Sequence, residues 1–213
     1  MFHDRQDAGR QLAAALSSFE LLDPLVLGIP RGGIVPAAVI ADALPAELDV
    51  VLAHKLRSPQ QPELAFGAVG EDGHVSLNPH ACEVVGVTKS YLERERQTQL
   101  DEIRRRQLLF RSGRPAAPIT GRSVILTDDG IATGSTMFAA IEVIKGQRPH
   151  ELIVAVPVAP PSTLRRLRQE CDHVVCLFAP GHFMAVGQFY ESFLPVEDQE
   201  VVGLLERHRT SAS

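Results

Sequence analysis

One stretch of the 213-residue chain has the sequence Val124-Ile125-Leu126-Thr127-Asp128-Asp129-Gly130-Ile131-Ala132-Thr133-Gly134-Ser135-Thr136, and a helical pattern follows it to Ile144. The short apolar run at its start is typical of a strand buried on both faces of a parallel sheet. Two adjacent carboxylates at the end of such a strand are costly to desolvate, so we expect them to face solvent or a polar ligand. The stretch therefore predicts a strand, a ligand-facing loop and a helix in series.

The part of this loop after the two carboxylates suits an anion. Small or hydroxylated residues are concentrated there: Gly130, Ala132, Thr133, Gly134, Ser135 and Thr136. The first turn of the helix has unpaired N–H groups and a positive dipole end, which together favour a phosphate. Carboxylates accept hydrogen bonds from vicinal hydroxyls, so the loop matches a sugar phosphate. The alternative is an ordinary Asp-Asp-Gly turn followed by a helix cap.

The loop resembles the signature of the type I phosphoribosyltransferases, which bind 5-phosphoribosyl-1-pyrophosphate. The resemblance implies that Asp128 and Asp129 hold the ribose hydroxyls. It implies further that the 5′-phosphate is held by Gly130, Ala132, Thr133, Gly134, Ser135 and Thr136. It also implies an α/β fold of three αβα layers, with a mostly parallel five-stranded core sheet, a small hood and a flexible loop with a hairpin. The implied cofactor is Mg²⁺, carried by the substrate near the two aspartates, without an all-protein metal site.

A second glycine-containing loop follows the strand predicted at residues 24–29. Its sequence is Pro30-Arg31-Gly32-Gly33, and its glycines allow neighbouring N–H groups to converge on an anion beside the Arg31 guanidinium. Taken alone, Arg-Gly-Gly is also compatible with a plain turn. The resemblance makes Arg31, Gly32 and Gly33 the pyrophosphate loop. Both loops follow parallel strands, so we expect them at the same edge of the sheet.

Two basic residues precede a segment with little apolar material. Lys55 and Arg57 stand where the strand predicted at residues 48–52 enters residues 58–63, which contain two prolines and predict an exposed, mobile loop. A solvated pair of cations is the alternative. The resemblance implies a lid that closes over the substrate and excludes water, with Lys55 and Arg57 as the catalytic residues at the pyrophosphate. Glu63 and Phe66 are further candidates for this lid.

The remaining pattern predicts alternating helices and strands around these loops. We expect helices at residues 4–16, 34–44, 90–111 and 162–169, further strands at 151–156 and 174–177, and a hairpin of residues 66–69 and 74–77 around Asp72-Gly73. Ser90 and Glu93 form a possible capping box for the long third helix. That helix carries both arginines and acidic residues, which indicates a solvated face or a subunit contact, with a nucleic-acid surface as the alternative.

The segment His182 to Tyr190 contains three aromatic residues. A small satellite core is one interpretation. The resemblance offers another, a hood built from terminal segments (about residues 1–20 and 181–209) over a core of about residues 20–180. In that hood Phe183 and Tyr190 would stack on the acceptor and Gln188 would read its edge.

Composition narrows the class of protein. The 45% of hydrophobic residues predict one globular domain spanning residues 1–213, and the net charge of −5 argues against nucleic-acid and membrane partners. Three cysteines without a CxxC pair, and no signal-peptide pattern, lead us to expect a cytoplasmic protein. The expected partners are phosphoribosyl pyrophosphate, a base-like acceptor and a second copy of the chain in a homodimer.

The resemblance predicts a phosphoribosyltransferase that releases pyrophosphate, and it leaves the acceptor open. The 6-oxopurine salvage members carry an aspartate as general acid or base at the place of Ala132, so hypoxanthine or guanine specificity is not expected. A regulatory protein that keeps the site and senses a nucleotide is the alternative. Neither GxxxxGK[ST] nor GxSxG occurs in the chain, which argues against a Walker-type hydrolase and a serine hydrolase.

Overall fold

The computed structural model describes residues 1–58, 65–77, 82–83 and 86–210. Its helices are α1 (Arg5–Leu16), α2 (Ile34–Ala43), α3 (Lys89–Arg111), α4 (Ser135–Gly146), α5 (Pro161–Leu167) and α6 (Asp198–Thr210). Its strands are β1 (Leu25–Gly28), β2 (Glu47–Val50), β3 (Ala53–Arg57), β4 (Ala65–Gly70), β5 (Val75–Leu77), β6 (Ser123–Thr127), β7 (Glu151–Val158) and β8 (His173–Phe178). A 3₁₀ turn covers Val186–Phe189.

Five strands form a parallel sheet in the order β2-β1-β6-β7-β8. Side chains alternate between its faces, so Val26 and Ile125 pack with α1, α2, α3 and α6, whereas Leu27 and Leu126 pack with α4 and α5. This arrangement confirms the predicted three-layer α/β fold. Because β1 and β6 are neighbours, with Gly28 opposite Thr127, the loops that follow them begin side by side.

A second, antiparallel sheet has the order β3-β4-β5. The predicted hairpin is present, but four residues, 71–74, separate its strands. Strand β3 is not among the predicted elements, and Lys55 and Arg57 lie on this strand rather than at the end of β2. Phe66 is fully buried in β4, so its predicted place in a lid is wrong. The predicted loop at residues 58–63, including Glu63, lies outside the described residues except for Ser58.

The long helix α3 differs from its prediction at both ends. It begins at Lys89, and its N-cap is Thr88, whose Oγ1 accepts the Tyr91 N–H at 3.2 Å, so the capping box at Ser90 is wrong. At the other end the Arg111 side chain is only 3% exposed, with Asp49 and Glu71 beside it. The α3 charges are therefore not all solvated, and Arg111 belongs to the interior.

Arg111 joins the core sheet to the small sheet. Its Nε donates to Asp49 Oδ1 at 2.9 Å, its Nη2 donates to Val50 O at 2.6 Å, and its Nη1 pairs with Glu71 in the turn between β4 and β5. Burial opposes the charge on Arg111, but the two carboxylates outweigh it and raise the pKa of the guanidinium. This ionic cluster fixes the position of the sheet that carries Lys55.

The two terminal segments meet beyond the carboxyl end of the core sheet. The Phe2 N–H donates to Phe189 O at 2.8 Å, and Phe2, Phe189 and Tyr190 form a small apolar cluster with Val158 at the end of β7. This cluster closes one side of the edge where the signature loop lies. Among the described residues, no helix is long and apolar enough to cross a membrane.

Candidate functional site

The two loops predicted from sequence are in direct contact. A methyl group added at Gly32 would lie 2.0 Å from Asp129 Oδ2, and one at Gly33 would lie 2.8 Å from Asp128 Cα. Real Cβ atoms do not approach this closely, so both positions need glycine for the loops to touch. The structure thus brings Arg31-Gly32-Gly33 beside the carboxylate pair, as expected for two parallel strands that end together.

The two aspartates have different surroundings. Asp129 Oδ2 accepts a hydrogen bond from Arg5 Nε at 2.8 Å, in a pair whose side chains are 11% and 14% exposed. Asp128 Oδ1 accepts the Asp129 N–H at 2.8 Å. Burial, and secondly the negative charge of Asp129, raise the pKa of Asp128 well above its usual range. Burying two adjacent carboxyl groups in a loop costs free energy, and such an arrangement is typical of a functional site.

In the rest of the signature loop, hydrogen bonds hold the main chain of residues 131–132, whereas the threonines that follow are exposed. The Ile131 N–H donates to Val158 O at 2.9 Å, and Thr163 Oγ1 donates to Ala132 O at 3.1 Å. Gly134 has a φ of 78°, which favours glycine, and α4 starts directly after it. Thr133 and Thr136 are exposed at this helix start, as a phosphate-binding turn requires.

A cavity of about 260 Å³ lies between the Pro-Arg-Gly-Gly loop, β3, α3 and the start of α4. Three cationic side chains line it, and they are Lys55, Arg57 and Arg106. The positive charge of the cavity also affects His54, another of its lining residues. Burial is the main cause that lowers the pKa of His54, and the positive charges of Arg106 and Arg57 lower it further. The Gln99 side chain bonds to its ring at 2.9 Å. The cavity is thus suited to an anion next to Pro30 and Thr136.

Arg106 is not among the site residues predicted from the sequence. It lies on α3 among other arginines and acidic residues, and its Nε donates to Glu102 Oε1 at 3.0 Å. Nothing in the local pattern distinguishes it from Arg104 or Arg105. Its role becomes visible only when α3 is packed against β3.

Arg31, the predicted pyrophosphate arginine, is not among the residues that line this cavity. Its Nη1 lies 3.9 Å from both Glu197 Oε2 and Asp198 Oδ1 at the start of α6. The peptide bond before it, from Pro30, is cis. The Arg31 side chain is half exposed, and it lines a pocket of about 200 Å³ together with Arg105 and Arg106.

The three residues predicted to contact the acceptor, which are Phe183, Gln188 and Tyr190, differ in burial and in their hydrogen bonds. Tyr190 is 6% exposed, its ring is packed 5.4 Å from that of Phe2, and its hydroxyl donates to Asp129 O at 2.6 Å. It therefore belongs to the satellite core and its ring does not present a stacking face, which corrects that prediction. Gln188 bonds locally, with its Oε1 accepting the Met184 N–H at 3.3 Å. Phe183 is partly buried against Phe189, and its contact with an acceptor stays a prediction.

A larger cavity, of about 620 Å³, lies on the other side of Lys55 and reaches Ser135. Its volume is in the range of small-molecule sites. However, neither carboxylate of the signature loop and no residue of the Pro-Arg-Gly-Gly loop lines it. The carboxylates do not line the smaller cavity either, but Pro30 of the Pro-Arg-Gly-Gly loop and Thr136 of the signature loop do. With its three cationic side chains, the smaller cavity is therefore the better candidate for an anionic ligand that contacts both loops.

The described residues contain no group of three or more His, Cys, Asp or Glu side chains arranged for a metal ion. Asp128 and Asp129 offer carboxylate oxygens, which are hard ligands of the kind that Mg²⁺ accepts together with substrate and water oxygens. The donor set therefore fits a metal ion that arrives with a phosphorylated ligand.

The structure combines a parallel α/β sheet with an acidic loop, a glycine loop and a cationic cavity at one edge, as the resemblance found in the sequence leads us to expect. Comparison with known proteins agrees with this assignment. The family model described as the phosphoribosyl transferase domain matches residues 4–191. The chain therefore belongs to the phosphoribosyl transferase domain family, which confirms the resemblance found in the sequence.

Individual relatives are close in sequence and structure. The crystal structure of TT1426 from Thermus thermophilus is 46% identical, with a TM-score of 0.91 over 97% of this chain and 98% of that chain. Two curated proteins of Mycobacterium tuberculosis, from strains H37Rv and CDC 1551, are named as phosphoribosyl transferases by assignment. Each is 44% identical to this chain over all 213 residues. The match covers 48% of each, so the chain spans about half the length of these relatives.

Proposed function

We propose that the protein transfers a phosphoribosyl group from 5-phosphoribosyl-1-pyrophosphate to a base-like acceptor and releases pyrophosphate. The observation that carries the proposal is the contact between the Asp128–Asp129 pair and Gly32, with a cationic cavity beside it. One sheet edge then offers separate places for ribose hydroxyls, a 5′-phosphate and a pyrophosphate. These are the three polar parts of the proposed donor.

The proposed reaction asks little covalent chemistry of the chain. Asp128 and Asp129 hold the ribose, and the turn Thr133 to Thr136 holds the 5′-phosphate. Lys55, Arg57 and Arg106 stabilise the charge on the leaving pyrophosphate as the bond to the anomeric carbon breaks. Bound Mg²⁺ would neutralise part of that pyrophosphate charge. Orientation and fixed charge therefore account for catalysis in this proposal.

The acceptor remains the open part of the function. Ala132 is exposed on the loop between the carboxylates and the phosphate turn, and its methyl group cannot exchange a proton. The proposed acceptor therefore needs no general acid or base at this position. An acceptor other than hypoxanthine or guanine is consistent with this residue.

The decisive experiment incubates the protein with phosphoribosyl pyrophosphate, Mg²⁺ and a panel of nitrogenous bases, and follows pyrophosphate release. Release that depends on one class of base supports the proposal and identifies the acceptor. Tight binding of the donor or of a nucleotide without release under any condition favours the regulatory alternative. Failure to bind either the donor or a nucleotide contradicts both.

Gly32→Ala is expected to weaken binding of phosphoribosyl pyrophosphate by about tenfold or more. The added methyl would overlap Asp129 Oδ2, so the carboxylate must turn from its position at the loop contact. Isothermal titration measures the change. Gly203→Ala is the matched control, because no atom lies within 4 Å of a methyl at that helical position. Equal affinities of the two variants would contradict the assigned contact.

Arg106→Gln is expected to raise the KM for phosphoribosyl pyrophosphate and the dissociation constant of pyrophosphate by about tenfold, the loss of one charge-assisted hydrogen bond. Arg104→Gln provides the comparison, because Arg104 lies on the same helix, is 64% exposed and pairs only with Asp101 among the ion pairs of the described residues. If Arg104→Gln reduces pyrophosphate affinity as much as Arg106→Gln does, the cavity does not hold the pyrophosphate.

A further inference from the structure

Arg5 of α1 connects the carboxylate pair to the segment that covers it. Its Nε donates to Asp129 Oδ2 at 2.8 Å, and its Nη1 donates to Leu194 O at 2.7 Å. Its guanidinium carbon lies 3.8 Å from the centroid of the Phe193 ring. One side chain thus contacts the signature loop and two consecutive residues near the carboxyl end of the chain.

The geometry of the guanidinium explains why an arginine stands here. Its planar fork can direct one N–H to a carboxylate and another to a carbonyl while its face stacks on an aromatic ring. Both charged side chains of the pair are largely shielded from water, so their attraction is stronger than at the surface. A contact of this kind restricts the rotation of the Asp129 carboxylate.

The main chain of Asp129 is held from the same direction. Tyr190 donates its hydroxyl to Asp129 O at 2.6 Å, and the rings of Tyr190 and Phe193 are 4.9 Å apart. The carbonyl and the carboxylate of Asp129 are therefore both bound by one unit made of Arg5, Tyr190 and Phe193. On the opposite side, Gly32 leaves just enough room for the carboxylate.

We propose that Arg5 is a positioning residue that orients the Asp129 carboxylate for the ribose hydroxyls and couples ribose binding to the placement of residues 190–194. The inference rests on the proposed function, because it assigns the ribose to Asp129. It adds a residue that neither the signature loop nor the pyrophosphate loop contains. Loss of Arg5 removes a cation that faces two adjacent carboxylates, so Asp129 turns away from its binding orientation.

The test separates the ribose part of the site from the pyrophosphate part. Arg5→Met, Arg5→Lys and the wild-type protein are titrated with ribose 5-phosphate and, separately, with inorganic pyrophosphate in the presence of Mg²⁺. We expect Arg5→Met to bind ribose 5-phosphate at least tenfold more weakly and pyrophosphate within twofold of the wild type. Arg5→Lys should recover part of the loss, because it restores a cation without the fork.

Arg10→Met is the matched control on the same helix. Arg10 is 60% exposed and lies 3.7 Å from Asp7, so its removal should leave both affinities within twofold. A merely structural role for Arg5 would weaken both ligands to a similar extent, and that result overturns the inference. If Arg5→Met does not fold, the ratio of the two affinities in Arg5→Lys decides the question, and an unchanged ratio overturns it.

Hydrogen exchange tests the coupling to the covering segment. Ribose 5-phosphate should slow amide exchange in residues 190–194 of the wild type, and this protection should be lost in Arg5→Lys at ligand concentrations that saturate both proteins. Equal protection in the two proteins overturns the coupling. A wild-type protein that binds pyrophosphate but not ribose 5-phosphate or phosphoribosyl pyrophosphate overturns the proposed function itself, which is a different result from any of these.

Discussion

Asp128→Asn is expected to lower kcat/KM for phosphoribosyl pyrophosphate by about a hundredfold and, in the same protein, to raise the free energy of unfolding at pH 7. The loss of activity follows from the removal of charge-assisted hydrogen bonds to the ribose, at about 1.5–3 kcal/mol each. The gain in stability follows from the raised pKa of Asp128, whose ionised form is unfavourable where it lies. Lower activity together with higher stability would identify Asp128 as a residue that serves ligand binding at a cost to stability.

The size of the stability effect depends on pH. A carboxyl whose pKa is raised by folding binds more protons in the folded protein, so stability falls as pH rises from the ordinary aspartate pKa of about 3.9 towards the folded value. The asparagine variant lacks this loss. Its advantage over the wild type should therefore grow as pH rises above about 4 and should vanish towards pH 3, in denaturation curves measured with a chelator present.

Asp101→Asn is the control for both measurements. Asp101 carries the same charge on the exposed face of α3, where it accepts hydrogen bonds from Gln97 and Arg104. Its substitution should change stability by less than about 0.5 kcal/mol and leave kcat/KM unchanged. An Asp128→Asn protein that is less stable than the wild type at pH 7 would show that the carboxylate has a structural role.

Arg111→Met is expected to lower the free energy of unfolding by about 3–5 kcal/mol, since it leaves Asp49 and Glu71 as buried carboxylates without their cation. For a chain of this size that loss corresponds to a melting temperature lower by roughly 6–20 °C. Urea denaturation at pH 7 measures it. Arg104→Met, which removes an exposed arginine of the same helix, should change stability by less than about 0.5 kcal/mol.

A further variant separates the lost cation from the lost packing. Adding Asp49→Asn and Glu71→Gln to Arg111→Met removes the two unpaired charges, so part of the stability should return. If the triple variant is no more stable than Arg111→Met, uncompensated charge is not the cause of the loss. The ionic cluster joins the core sheet to the sheet that carries Lys55, so Arg111→Met should also lower activity.

The signature loop could be predicted because its information is local. An apolar run, two carboxylates, glycines and the start of a helical pattern lie within thirteen consecutive residues. The structure places β6, the loop and α4 as expected, and the pairing of β1 with β6 brings the second loop beside the first. Parallel strands end at one edge, so two correct local predictions were enough to predict that the two loops lie side by side.

Local errors arose where neighbouring residues offer equal signals. Thr88 and Ser90 both suit a helix N-cap, and in the structure Thr88 is the N-cap. The chain between β2 and β3 contains just Val51 and Leu52 outside either strand, too short a break to detect from composition. The sequence is compatible with Tyr190 either stacking on an acceptor or packing in a small core. Its burial beside Phe2 shows that it packs in the core.

The partners of three arginines could not be predicted from the amino-acid sequence. Arg5 pairs with a carboxylate 124 positions away, Arg111 pairs with one 62 positions away, and Arg106 meets the cationic cavity only through packing of α3 on β3. Local patterns sufficed for the fold class, the two loops and the family, because strand, turn and helix signals act between near neighbours. The partners of the charged side chains depended on which surfaces folding brings together, because burial and pairing are properties of the packed chain rather than of any segment in it.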